Sequence, residues 1–226
     1  MNNSVSSAAR LLGAGLRALL VLTVICGVLY PLAVTGIAQA VFHGKADGSE
    51  VEDASGTVVG SSLIGQRYDL PKQDPHDADE APRPDLKWFQ PRPSAGLGTN
   101  SVNTRYSLVL SGATNKAADD QDLVNDVEEA KAAVVADNST ATHEIKPSDV
   151  PADAVTSSGS GLDPDISPAY AELQVPRVAE RNGLPVARVA KLVADNTEGR
   201  TLGFMGEPRV NVLKLNIALR ALTAEG

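Results

Sequence analysis

Residues 18–42 read ALLVLTVICGVLYPLAVTGIAQAVF, twenty-five positions without one charged side chain. As a helix this run measures about 37 Å at 1.5 Å per residue, enough to cross a hydrocarbon core of roughly 30 Å with some tilt. Pro31 removes a backbone donor in mid-span and predicts a kink, which membrane helices tolerate better than soluble ones. The rival is a cleaved signal peptide, because Ala38-Gln39-Ala40 imitates a small-x-small cleavage pattern and Arg10 and Arg17 would form its basic end. Against that, the run far exceeds a usual apolar region of roughly 7 to 15 residues. A buried core helix fits this length and uniformity less well still.

Arg10 and Arg17 stand before the span, whereas Lys45 is followed by Asp47, Glu50, Glu52 and Asp53. The positive-inside rule then makes residues 1–17 a cytoplasmic N-terminus, residues 18–42 a single membrane anchor, and residues 43–226 a soluble extracytoplasmic domain. Net charge is −8. An acidic chain lacks the clustered Lys and Arg of a nucleic-acid footprint, so no nucleic acid is expected as a partner. The single cysteine, Cys26, lies inside the apolar run and cannot form an intrachain disulfide.

Behind the anchor, residues 57–66 (TVVGSSLIGQ) predict a short strand with turns. Residues 68–87 interleave Asp69, Asp74, Asp77, Asp79, Glu80 and Asp85 with Pro71, Pro75, Pro82 and Pro84. Such a stretch buries little apolar surface and is expected to be a solvated loop. Residues 88–94 (WFQPRPS) hold the only tryptophan in a proline-bounded extended segment. They are expected to anchor a loop to the core, with a binding patch as the alternative.

Four helices follow. Residues 119–136 place Leu123, Val127, Ala130 and Val134 on one stripe; residues 137–149 then read as a polar linker containing the sequon Asn138-Ser139-Thr140. Ser167 is a natural N-cap with Pro168 at the first helical position, opening a helix that ends near Asn182-Gly183. Pro185 opens another, with Val186, Val189, Ala190 and Val193 on one face. The last, residues 209–223, is apolar on two faces (Val210, Leu213, Ile217; Val212, Leu215, Leu219, Leu222), which is expected of a helix central to its domain. Short strands and helices outside βαβ alternation make the soluble domain α+β, with one N-terminal transmembrane helix.

Chemistry is sparse. His43, His76 and His143 have no partner at metal-ligand spacing, so no metal is expected. Ser160 lies in Gly159-Ser160-Gly161, which lacks the spacers of a nucleophile elbow, and no catalytic residue is expected. Gly199, Gly203 and Gly206 match no dinucleotide fingerprint and read as turn glycines. Asp163 and Asp165, astride Pro164, read as turn formers leading into the Ser167 cap. Pro176 is the odd residue: inside a helix it removes a donor and leaves the Glu172 carbonyl without its usual partner, a cost of about 3 kcal/mol unless compensated. A kink there is expected to leave Gln174 and Arg177 exposed beside a bend, an amide and a guanidinium suited to nucleotide or partner contact.

Residues 150–184 (VPADAVTSSGSGLDPDISPAYAELQVPRVAERNGL) and 192–219 (LVADNTEGRTLGFMGEPRVNVLKLNIAL) resemble the C subunit of the Kdp potassium-transporting ATPase. The single N-terminal span, VVGSSLIGQ and WFQPRPS fit the same family, so the resemblance covers nearly the whole chain. The family's fuller S-G-G-S-N-L-G-P-T-N loop is reduced here to Ser111-Gly112-Ala113-Thr114-Asn115, after GLGTNSVNTRYSLVL. What the resemblance implies is a non-catalytic accessory subunit of a bacterial inner-membrane complex that imports potassium at the expense of ATP. Its partners would be a channel-like subunit that conducts the ion and a P-type ATPase subunit. The family role is assembly and a catalytic chaperone activity that raises the ATPase subunit's affinity for ATP. No cofactor would be bound tightly, ATP being available only through the ATPase partner.

The charge rule puts the soluble domain outside, where ATP is not available, so a chaperone role would act through the membrane subunits. If nucleotide is contacted, Gln174 is the residue whose amide can both donate and accept toward a base edge. The alternative is a membrane-anchored nucleotide-binding module or an enzyme of unknown reaction. A cysteine placed in residues 137–149 is expected to react with a membrane-impermeant thiol reagent added to intact cells; protection until lysis would put the domain in the cytoplasm.

Overall fold

The computed structural model describes residues 3–74, 76, 77, 80–94 and 111–224. Residues 96–110, the GLGTNSVNTRYSLVL stretch, lie outside the described residues, as do Pro75 and Asp79 of the acidic loop. The chain divides into two compact units, one ending at Glu50 and one beginning at Val51.

In the first unit α1 (Asn3–Val24) continues through a π turn (Ile25–Leu29) into α2 (Tyr30–Val41), and α3 (His43–Ala46) follows Phe42. The run from Ser6 to Val41, 36 residues, is long and apolar enough to cross a membrane. The Tyr30 N–H reaches back to the Ile25 carbonyl, one residue farther than in an α-helix. This wider turn stands just ahead of Pro31, whose ring and missing N–H cannot continue the ordinary ladder.

A ribbon of β1 (Glu50–Glu52), which begins at the boundary residue, and β2 (Val58–Ser61) leads into the second unit. Far along the chain, β3 (Asp165–Ile166), β4 (Thr197–Glu198) and β5 (Arg209–Asn211) form an antiparallel sheet in the order β3-β5-β4. Ile166 faces Val210 on one side and Thr197 faces it on the other. Around the sheet lie α4 (Gln121–Asn138), α5 (Pro168–Asn182), α6 (Val186–Asp195) and α7 (Val212–Ala224). α5 packs against α4 and α6, and α6 against α7. The fold is α+β, as the sequence predicts.

Local chemistry explains the helix limits. Asp120 caps α4 by accepting from Asp122 and Leu123 N–H. Ser167 caps α5 through the Tyr170 N–H at 3.1 Å, and Gly183 ends it at φ 65°, a left-handed turn that favours glycine. The α4 stripe turns inward as expected, with Val134 buried and Leu123, Val127 and Ala130 half-buried. α7 is central: Val212, Leu213, Leu215 and Leu219 are all buried.

Three expectations change. Residues 209–211 are not helical: β5 fills the gap between β3 and β4, and the Asn211 carboxamide then caps α7 by accepting from the Lys214 N–H at 3.2 Å. On α6 only Val189 and Val193 are buried; Val186 and Ala190 face solvent, because α5 and α7 cover one edge of the helix alone. The acidic loop is tied at its ends, with Leu70 N–H donating to Arg83 O at 2.8 Å and Asp85 N–H to Tyr68 O at 2.7 Å. Glu80 also accepts from the Gln73 and Asp74 N–H groups, both at 2.9 Å. These hydrogen bonds hold its carboxyl below the usual range.

Leu219→Ala should destabilise the chain by about 3 kcal/mol, the usual cost of a cavity at a fully buried leucine. Val186→Ala should stay within about 0.5 kcal/mol. Denaturant unfolding of the two variants side by side checks this.

Candidate functional site

A segment of chain that belongs to no helix or sheet must find partners elsewhere for its N–H and C=O groups, since leaving them bare in a core costs about 1–3 kcal/mol each. Residues 86–90 are such a segment, and side chains supply the partners. From α7, the Asn216 carboxamide pairs with both backbone groups of Phe89, accepting from N–H and donating to O, each at 2.9 Å. From α5, the Gln174 amide does the same for Gln90, accepting from N–H at 2.7 Å and donating to O at 3.1 Å. Asn182 donates to the Lys87 carbonyl at 2.8 Å.

Arg177 completes the set. One of its terminal nitrogens donates to the carbonyls of Leu86 and Trp88, the latter at 2.9 Å. The other donates to Gln174 Oε1 at 2.6 Å, and Nε donates to Asn138 Oδ1 at 2.8 Å. All four acceptors are neutral. Burial lowers the guanidinium to about 10, with Tyr170 and Asp137 pulling the other way. Asp137, half-buried beside it, is raised by the same desolvation and partly restored by Arg177.

Gln174 is 0% exposed and Arg177 is 2% exposed. The sequence reading expected both at the surface beside a bend; instead α5 runs through Pro176 as one helical segment and turns both side chains into the domain. Glu172, whose carbonyl loses its donor to Pro176, is on the exposed side, where water can serve it. The aromatic-anchor expectation for WFQPRPS holds at Phe89, which is buried, while Trp88 is half-buried with its ring centroid 6.1 Å from that of Tyr68.

Three contributors were missed from the sequence. Asn138 was read only as a sequon in a linker; it is the last residue of α4, buried, and its amide also donates to Val134 O at 2.8 Å. Asn216 matches no motif, yet a carboxamide in the middle of a helix apolar on two faces is itself the signal of a buried hydrogen-bonding role. Asn182 was read only as a helix end.

The serine- and aspartate-rich stretch before α5 closes over the far end of the same segment. Arg92 donates to Asp163 at 3.0 Å and to the Thr156 carbonyl at 3.2 Å, and Ser158 N–H donates to Pro93 O at 3.1 Å. Asp163 forms its turn, accepting from Asp165 N–H at 3.0 Å, while Asp153 accepts from Ser167 N–H at 2.7 Å and Ser167 Oγ at 2.8 Å. Ser111 and Gly112 of the reduced loop both donate to Ser160 O. A cleft of about 370 Å³ remains beside Gln90, Arg92 and Tyr170. Among the described residues no group of His, Cys, Asp or Glu is placed to hold a metal ion.

Arg177→Met keeps the length but leaves the Leu86, Trp88 and Asn138 oxygens without their donor, and is expected to cost about 3–5 kcal/mol. Trp88, the only tryptophan, should then become more accessible to a fluorescence quencher; unchanged quenching would contradict the anchoring role. A pH prediction follows from Tyr170, which burial raises from its ordinary 10.0 to about 12. The neutral phenol therefore favours the folded state: its contribution is complete below pH 10 and lost as pH rises through 12. Arg177 acts in the opposite sense, its burial cost easing as pH rises above about 10. Tyr170→Phe should leave only the second effect, so its stability should rise relative to the parent chain across that window in alkaline denaturant titrations.

The comparisons with known proteins agree along the length of the chain. The family model described as "KdpC: K+-transporting ATPase, c chain" matches residues 12–221. A Streptomyces avermitilis protein named potassium-transporting ATPase KdpC subunit is 70% identical over 224 residues, covering 99% of each chain. One of the same name from Streptomyces coelicolor is 66% identical, covering 100% of this chain and 99% of its own. One from Kineococcus radiotolerans is 47% identical over 92% of this chain and 91% of its own.

Proposed function

The chain belongs to the family of c chains of K+-transporting ATPases, and on that premise we propose that it is an accessory subunit of an ATP-driven potassium import complex that carries out no chemistry of its own. It sits in a bacterial inner membrane by one span, N-terminus inside and soluble domain outside. There it supports assembly with a channel-like subunit and a P-type ATPase subunit. It raises the ATPase subunit's affinity for ATP through the membrane-embedded parts of the complex and makes no contact with the nucleotide itself.

The observation that carries this reading is the use made of Gln174 and Arg177. An amide and a guanidinium that already bond to Gln90, Leu86, Trp88 and Asn138 inside the domain are not offered to a ligand. Their role is to position residues 86–90, and with them the surface that residues 88–94 help to form. The apolar run Ser6–Val41 supports the membrane half of the reading by length and composition.

Titrating ATP into the purified full-length chain is expected to give no binding, while deleting the chain from the complex abolishes assembly or transport. Stoichiometric ATP binding by the chain alone would favour a membrane-anchored nucleotide-binding module instead. Replacing residues 18–42 with a generic apolar span should also reduce co-purification with the other subunits, because contacts between membrane helices depend on the shape of particular side chains. A chimera that co-purifies normally would contradict that.

A further inference from the structure

The hairpin joining β4 to β5 carries the most apolar exposed tip among the described residues of the second unit. Leu202 is 78% exposed, Phe204 70% and Met205 47%, side by side in the run Thr201-Leu-Gly-Phe-Met205. The exposure is built in. Thr201 and Met205 exchange both backbone hydrogen bonds, at 2.9 and 3.0 Å, and Gly203 N–H donates to Arg200 O at 3.0 Å. Leu202 is held at φ 55°, a left-handed conformation uncommon for a residue with a side chain, next to Gly203 at φ 82°. Backbone held in this way clusters at places that grip a partner.

The surroundings restrict what the partner can be. Behind the tip, Arg200 pairs with Glu207 at 2.7 Å, Arg209 with Glu198 at 3.0 Å and Asp165 at 3.1 Å, and Lys214 with Glu198 at 3.2 Å. Three cations meet three carboxylates, so the collar carries no net charge. An anionic lipid surface is recognised by unpaired Lys and Arg around an apolar wedge, and that excess is missing here on a chain of net charge −8. A patch on the order of 400 Å² is also about half of the ~800 Å² per partner that a free-standing complex or self-dimer needs. A contact of this size holds when its two sides are already tethered in one assembly, where the effective concentration is high.

We propose that the Leu202–Met205 tip docks into an apolar pocket on another subunit of the same ATPase complex, with the neutral collar forming the polar rim. The proposal rests on the reading of the chain as an accessory subunit. The test is a photo-reactive amino acid at position 204 of the chain within the intact complex. The expected product is one adduct with another subunit; adducts with lipid only, with a second copy of this chain, or with nothing would overturn the docking. In parallel, Leu202→Ser combined with Phe204→Ser should lower the amount of chain retained after a detergent wash about tenfold or more. Its unfolding transition should be that of the parent chain, since neither residue is in the core. Full retention would also overturn the proposal. Failure of docking while the parent chain still co-purifies leaves the accessory role standing, whereas a parent chain that never co-purifies removes that role itself.

Discussion

A guanidinium buried among neutral acceptors is the constraint on which the second unit depends. Desolvating Arg177 is costly, and no carboxylate lies close enough to pair with it directly among the described residues; carbonyl and amide oxygens bring the cation inside instead. The same bonds answer the backbone of residues 86–90, which have no strand beside them. Gln174 of α5 and Asn216 of α7 each satisfy both backbone groups of one residue in this irregular segment, and Asn138 of α4 reaches it through Arg177. A network of this kind is worth keeping only if it is complete, because each member left bare costs more than the bond it made.

From that segment the rest of the domain can be traced. Pro91 and Pro93 carry no N–H and so need no acceptors there, and Arg92 then ties the chain to Thr156 and Asp163. The turn at Asp163 delivers β3 to β5, and Asp153 steadies the Ser167 cap of α5. Hydroxyls and carboxylates that resemble reactive groups on paper are thereby consumed as turn, cap and clasp. Asp165 illustrates the balance: burial raises its carboxyl, and bonds from Asn211 and Arg209 oppose the rise. In this arrangement the β4–β5 hairpin turns Leu202, Phe204 and Met205 outward on a fixed frame.

Legibility followed the range of the forces involved. Caps, turn glycines and amphipathic stripes are local, so α4, the start and end of α5, and the apolar span could be read directly. Residues 209–211 could not, because β5 exists only between two strands distant in sequence; Val210 fits a helix stripe as well as a strand. Gln174 and Arg177 were picked out for their polarity beside Pro176, yet placed outside, since helical spacing does not say what a helix packs against. Asn216 left a trace, a lone carboxamide in the middle of a helix with two apolar faces, whereas nothing local distinguishes Asn138 from any other polar residue at a helix end.

By itself, the sequence determined the apolar helix, the α+β class of the remainder, the family, and the absence of a recognisable catalytic motif. Each is carried by composition, periodicity or a contiguous motif. Only the tertiary structure decided that the polar residues of α5 face inward and that Asn138, Asn216 and residues 86–90 meet. It also decided that Leu202, Phe204 and Met205 are left on the outside. Hydrogen bonds such as that between Phe89 and Asn216, 127 positions apart, are fixed by how helices pack, and one-dimensional pattern carries no record of that distance.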